Sequence, residues 1–167
     1  MKRYLPGFYL LTLSLICQAT SAMERATSIP LPPIYLEKFE YLSSSKRGTL
    51  ENFYGSIMAV SFFGTDCSWC KKQHNVLKIL QDRCSEINAV MMGIGHEKRK
   101  LNIDLRRYQN RFPAFLVNNN LTNALESSNV PRLLVFDQQG SAKLNLLGYV
   151  PEAELLLILN QQLDFQC

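Results

Sequence analysis

The sequence lacks any long block of like charge. Its 167 residues hold 18 Lys and Arg against 14 Asp and Glu, a formal charge of +4, and two of those charges are Lys2 and Arg3 at the extreme N-terminus. Nothing in that pattern points to nucleic acid as a main partner. The sequence also lacks an apolar run of about 20 residues, the length a membrane-spanning helix needs. The run Tyr4 to Cys17 covers only 14 positions and contains Pro6 and Gly7. There is no internal repeat. A composition of 47% hydrophobic and 19% charged residues excludes the disordered regime. The length suits one domain. Cysteine is present in an odd number, five, which an exported chain must account for.

The N-terminus accounts for one of the five. Lys2 and Arg3 precede the apolar run, and Gln18-Ala19-Thr20-Ser21-Ala22 follows it. A charged start, an apolar centre and a small-residue end are the layout of a secretory signal, here residues 1–22 with cleavage near Ala22. An uncleaved anchor is the alternative. Ile16 stands before Cys17, where a bacterial lipoprotein signal has a small residue, so Cys17 is assigned to the signal. Without residues 1–22 the excess of basic residues falls from 4 to 2, and charge stops being informative. Cys67, Cys70, Cys84 and Cys167 remain, an even set in a compartment where disulfides persist.

Residues 23–37, with Pro30, Pro32 and Pro33, read as an extended segment, and residues 38–167 as one domain. Residues 38–43 alternate as a strand, Lys46-Arg47-Gly48 reads as a hairpin turn, and residues 49–52 open a short helical turn. Residues 57–63 (IMAVSFF) and 89–94 (AVMMGI) are buried-strand runs. The pattern predicts helices over residues 70–83 and 98–111, the second stopped by Phe112-Pro113. A brief strand at 114–117 and a brief helix at 121–125 follow. Strands at 132–137 and 141–149 flank the turn Gln138-Gln139-Gly140. Pro151 then opens a helix over 152–163 with a Leu155/Leu159/Leu163 stripe. The order of strands and helices implies an α/β sandwich.

The chemistry concentrates at Cys67-Ser68-Trp69-Cys70, where a buried strand ends and a helix begins. Free N–H groups and the helix dipole at that position stabilise a thiolate. A thiolate is the attacking species in disulfide exchange. Cys67 is therefore the candidate nucleophile and Cys70 the candidate resolving residue. Lys71 and Lys72 either add positive potential or are simply solvated. A purely structural bridge rarely closes so short a loop at a helix start. Zinc held by Cys67, Cys70, His74 and Cys84 fails because Cys84 lies about 20 Å along the same helix. Peroxide chemistry of the peroxiredoxin kind requires threonine three positions before the cysteine, and here Thr65 is two before. His74 and His96 read as exposed residues. The Lys98/Arg99/Lys100 and Arg106/Arg107 group reads as a solvated helix face, and Asn120-Leu121-Thr122 as a chance glycosylation triplet.

The segment VSFFGTDCSWCKK (residues 60–72) resembles the active-site strand and helix of thioredoxin-fold proteins. Val130-Pro131 before RLLVFDQQG resembles that family's cis-proline loop and the hairpin after it. The segments GTLENFYGSIMAVSFF and GIGHEKRKLNIDLRRYQNRFPAFLVNNNLTNALESSNVP resemble the exported TlpA/ResA-like branch. The resemblance runs from about residue 38 to the end. It implies a thioredoxin fold, a central mixed β-sheet with helices on both faces, and an N-terminal β-hairpin extension.

The resemblance also implies an exported, periplasmic thiol–disulfide oxidoreductase acting on protein thiols and disulfides. Its direction would be reduction, because Ser-Trp replaces the Pro-His of strong oxidants. A membrane thiol-relay protein would be the electron donor. No metal, no nucleic acid and no cofactor beyond the dithiol is expected, and the chain would be monomeric. Trp69, Val130 and Pro131 would contact substrate, with the Val130 backbone pairing like an added strand. An oxidase or isomerase, or a non-catalytic binding module of the same fold, are the alternatives.

Several positions depart from relatives. Asp66 stands where many have Trp, Asn75 where many have Pro, Gln73 where cytochrome-maturation members have Glu, and Ser61 where thioredoxins have Asp. Asp66 reads as a solvated loop residue, since a charge beside Cys67 would raise the thiol pKa. Cys84 continues the Leu77/Leu80 seam and Cys167 the Leu159/Leu163 spacing. In the family's topology these helices cover the same sheet face. A Cys84–Cys167 disulfide is therefore expected at the end remote from Cys67, the alternative being a buried free Cys84 and a frayed Cys167.

Overall fold

A computed structural model describes residues 33–95, 97–125, 129–163, 165 and 167. The signal assigned to residues 1–22, most of the 23–37 segment and His96 lie outside the described residues. Twelve elements follow in order: α1 (Pro33–Leu36), β1 (Phe39–Tyr41), β2 (Arg47–Gly48), β3 (Ile57–Phe63), α2 (Ser68–Arg83), β4 (Ile87–Gly93), α3 (Lys98–Arg107), β5 (Ala114–Leu116), α4 (Asn119–Ala124), β6 (Arg132–Phe136), β7 (Ala142–Leu147) and α5 (Glu152–Leu163). A 3-10 turn at Glu51–Phe53 precedes β3.

All seven strands form one sheet in the order β2-β1-β5-β4-β3-β6-β7. β3 pairs in parallel with β4, and β4 with β5. β6 and β7 are antiparallel, as is the N-terminal β1–β2 hairpin at the far edge. The β3 sequence has no polar face because both its faces are covered, and every residue of it is buried. Its alternation sends Ile57, Ala59 and Phe63 toward α2, α3 and α5. Met58, Val60 and Phe62 face the opposite cluster, with Tyr35 of α1 and Leu121 of α4. Helices thus cover both faces. Each fully buried Leu or Phe in these layers contributes roughly 1.5–3 kcal/mol relative to exposure.

Two N-terminal expectations need correction. The 23–37 segment is not extended throughout, because Pro33 starts the short helix α1, where its missing N–H costs nothing, and Tyr35 is buried under it. The hairpin turn does not lie at Lys46-Arg47-Gly48. Arg47 and Gly48 form β2, and the turn falls within residues 42–45, closed by Tyr41 N–H donating to Lys46 C=O at 2.9 Å. Gly48 is there for closeness of approach, since a Cβ on it would come within 2.5 Å of the Tyr41 hydroxyl. The helix expected over 98–111 ends at Arg107, and Gln109 turns the chain at φ 54°.

Candidate active site

Strand β3 delivers the chain to the sheet's C-terminal edge, and residues 64–66 turn it into α2. Asp66 takes a left-handed φ of 55° to make that turn. Its side chain is 82% exposed, as expected of a solvated loop residue. Cys67 then caps α2. Its backbone is extended, its carbonyl accepts from Lys71 N–H at 3.2 Å, and its Sγ accepts from Cys70 N–H at 3.1 Å. That hydrogen bond and the free N–H groups of the first turn favour negative charge on the Cys67 sulfur. Cys67 and Cys70 are disulfide-bonded, with Cα atoms 5.2 Å apart. Cys67 is half-buried and Cys70 only 1% exposed. One sulfur is therefore accessible and the other shielded.

Two loops flank the pair. The Val130–Pro131 peptide is cis. The β3–β6 ladder begins at Phe62 and Arg132, so Val130 lies just outside it. Pro131 C=O accepts from Gly148 N–H at 2.8 Å, which ties this loop to the β7–α5 connection. From that connection Tyr149 packs on Trp69, ring centroids 5.6 Å apart, and Lys72 Nζ sits 3.9 Å over the indole. Trp69 is 52% exposed. On the other side, Asp66, Cys67, Lys71, Asp104, Arg107 and Tyr108 line a hollow of about 220 Å³. A larger groove of about 480 Å³ between the β1–β2 hairpin and α3 has no cysteine in its lining. Among the described residues, no cluster of His, Cys, Asp or Glu is suited to a metal ion.

His74 is the main correction. It is not exposed but fully buried, packed on Tyr108 and Phe112 with centroids 5.6 and 5.1 Å away. Its position, four after Cys70 and three before Leu77, lies on the seam that faces the sheet. Asn110 Nδ2 donates to Phe112 C=O and Asn110 Oδ1 accepts from Phe112 N–H. The same Oδ1 is 2.9 Å from His74 Nε2, which must then carry the proton. Burial, above all, pushes the His74 pKa below its ordinary value.

Gln73 is equally buried, and its Oε1 accepts from Val150 N–H at 2.8 Å, pinning the Tyr149 connection to α2. The basic group on α3 is not uniformly solvated either. Lys98 reaches Glu40 and the Ser44 carbonyl, and Arg107 pairs with buried Asp104 at 3.1 Å. Asp104 and Tyr108 also line the hollow beside Cys67, although the sequence pattern alone does not single them out as site residues. The signal for Tyr108 was its place on the apolar stripe of α3, which gives its face but not its partner.

The remaining cysteines meet at the opposite end. Cys84 caps the C-terminus of α2 and is disulfide-bonded to Cys167, with Cα atoms 5.1 Å apart. The link is made beyond α5, which stops at Leu163, and Phe165 is buried against the same core as Cys84.

A sequence profile described as a thioredoxin-like domain matches residues 54–163. The chain belongs to the thioredoxin-like domain family. The fold of this thioredoxin-like protein is found in solved structures of low sequence identity. DsbF of Mycobacterium tuberculosis superposes with a TM-score of 0.68 at 13% identity, over 79% of this chain and 98% of that one. A thioredoxin-family thiol:disulfide interchange protein of Chlorobium tepidum gives 0.63 at 17%, over 82% and 99%. A secreted Mycobacterium tuberculosis disulfide oxidoreductase homologous to E. coli DsbE gives 0.60 at 12%, over 71% and 90%. No curated protein matches the chain. Among the described residues of this thioredoxin-like protein, no helix is long and apolar enough to cross a membrane.

Proposed function

We propose that this protein is an exported thiol–disulfide oxidoreductase that reduces disulfides in protein substrates. The observation that carries the reading is the Cys67–Cys70 pair at the N-terminus of α2, one sulfur half-buried and one shielded. The reduced enzyme attacks a substrate disulfide with the Cys67 thiolate. A Cys67–substrate S–S bond forms, and the displaced substrate sulfur leaves as thiolate and takes a proton. Cys70, deprotonated, then attacks Cys67 Sγ. The mixed disulfide breaks, the second substrate sulfur leaves, and the Cys67–Cys70 disulfide remains. Two electrons have passed to substrate, and a dithiol donor, such as a membrane thiol-relay protein, must return them.

Val130 lies just beyond the ladder, beside the loop that carries Cys67, and its backbone would pair with an extended substrate segment. Trp69 and Pro131 would border that segment. Cys84 and Cys167 would act as a staple rather than as redox partners. Export is supported by the signal layout of residues 1–22 and by the secreted protein among the structural neighbours. Reduction is supported by the Ser-Trp dipeptide between the cysteines.

Equilibration of the Cys67–Cys70 couple against defined thiol buffers tests the direction. A potential near that of thioredoxin, about −270 mV, supports a reductant, and one near that of DsbA, about −120 mV, assigns an oxidant instead. Accumulation of mixed disulfides on Cys70→Ser would support exchange with protein substrates. Unchanged function in Cys67→Ser would leave only a binding module.

A further inference from the structure

Helix α3 carries two side chains that the exchange steps do not use. Asp104 and Tyr108 are four residues apart, so they share one face of the helix. Asp104 Oδ2 accepts from the Asp66 N–H at 3.0 Å. Tyr108 donates its hydroxyl to the Cys67 C=O at 3.2 Å. The backbone is thus held one residue before Cys67, at the Asp66 N–H, and immediately after the Cys67 Cα, at its carbonyl. Asp66 needs holding, because a left-handed φ is unfavourable for a residue with a Cβ. The Cys67 carbonyl is also the acceptor of the first helical bond, from Lys71 N–H. The hydroxyl therefore braces the turn that sets the sulfur's direction.

A carboxylate is a strong acceptor for that N–H, but beside a thiol it works against the thiolate. Arg107 removes the conflict. It lies 3.1 Å from Asp104 Oδ1 and 4.0 Å from Asp66 Oδ1. We infer that Asp104 and Tyr108 are positioning residues for Cys67, and that Arg107 is the counter-charge that lets a buried carboxylate do this without suppressing the thiolate. The inference deepens the exchange reading and rests on Cys67 being the nucleophile. The charged and titratable groups around Cys67 are Asp66 in the loop, Lys71 and Lys72 on α2, and Asp104, Arg107 and Tyr108 on α3. Lys100 stands one turn out on α3, and Tyr149 is on the β7–α5 connection. Tyr108 remains a donor through the working range, because burial pushes its hydroxyl up to about 12.

The test is the pH dependence of Cys67 alkylation by iodoacetamide in reduced Cys70→Ser protein, read by mass at the Cys67 peptide. Arg107→Gln should raise the midpoint by roughly one pH unit, and Asp104→Asn, which keeps an oxygen acceptor, should lower it by a similar amount. Movement of both in one direction, or of neither, overturns the counter-charge. Arg107 is 65% exposed, so its variant folds and carries the test even where Asp104→Asn does not. In the otherwise wild-type chain, Tyr108→Phe should reduce kcat several-fold with KM retained, and an unchanged kcat removes Tyr108 from the assignment. The alkylation profile requires no turnover. Its failure is therefore distinguishable from failure of the exchange reading, which appears as unchanged function in Cys67→Ser.

Discussion

The two disulfides sit at opposite ends of the same helix, and the end decides what each can do. Cys67 and Cys70 occupy the N-terminus of α2, where the Cys70 N–H donates to Cys67 Sγ and the dipole favours a thiolate. Cys84 caps the C-terminus, where carbonyls and the negative end of the dipole disfavour one. Each pair joins a buried sulfur to a more accessible one, so exposure alone does not separate them. Loop length does. The first pair is three residues apart and constrains almost nothing in the unfolded chain, whereas the second is 83 apart and constrains much. On the proposed reading the first bond serves exchange and the second closure.

The strongest way to break this comparison is to remove one sulfur from each pair. Cys67→Ser should abolish reduction of a model protein disulfide while leaving the thermal midpoint close to wild type. Retained turnover would remove the nucleophile assignment. Cys84→Ser should do the reverse. The chain should lose about 2–4 kcal/mol of unfolding free energy in a denaturant titration, with turnover per folded molecule unchanged. Lost turnover in a folded Cys84→Ser protein would mean that the second pair takes part in electron transfer.

Much of this arrangement was readable in the residues. The run IMAVSFF is β3 itself, and the Leu155/Leu159 stripe marks the buried face of α5. Both depend on periodicity, which is local. The misreadings arise where a residue type has two physical uses. Gly48 signals a turn by composition, yet it is needed so that the Tyr41 ring can lie against the backbone. Pro33 reads as extended, yet it is also a good first residue of a helix. His74 reads as polar surface, although its spacing already puts it between Cys70 and Leu77. The Asp104 and Tyr108 contacts were out of reach because their partners lie 38 and 41 residues away in sequence. A stripe on α3 gives a buried face but does not say which loop that face meets.

His74 sharpens the comparison at intermediate size, because it lies on α2 between the two pairs. Its folded pKa is depressed by burial, so the folded state favours the neutral ring. The stabilisation is fully present above the unfolded value near 6.5 and is lost as pH falls from there toward the folded value. Wild-type protein should therefore unfold at lower denaturant at pH 5 than at pH 7.5, and His74→Phe should show a smaller difference between the two. An equal acid sensitivity in the variant would assign the effect to other groups. The ring packs between Tyr108 and Phe112, so the loss should appear in the midpoint before it appears in exchange.

The smallest effect is expected at Trp69, which lies between Cys67 and Cys70. Half of its surface is already in water, and it packs against Tyr149 and under Lys72. Truncation therefore removes little buried area, and Trp69→Ala should cost less than about 1 kcal/mol in stability. An exposed aromatic beside the accessible sulfur is instead available to an approaching chain. Trp69→Ala should raise KM for a protein disulfide a few-fold, with kcat and the Cys67 alkylation profile unchanged. It should leave reduction of a small linear disulfide such as oxidised glutathione unaffected. An equal loss with both substrates would mean that the indole acts on the dithiol itself, which would place it with Asp104 and Tyr108 instead of at the substrate surface.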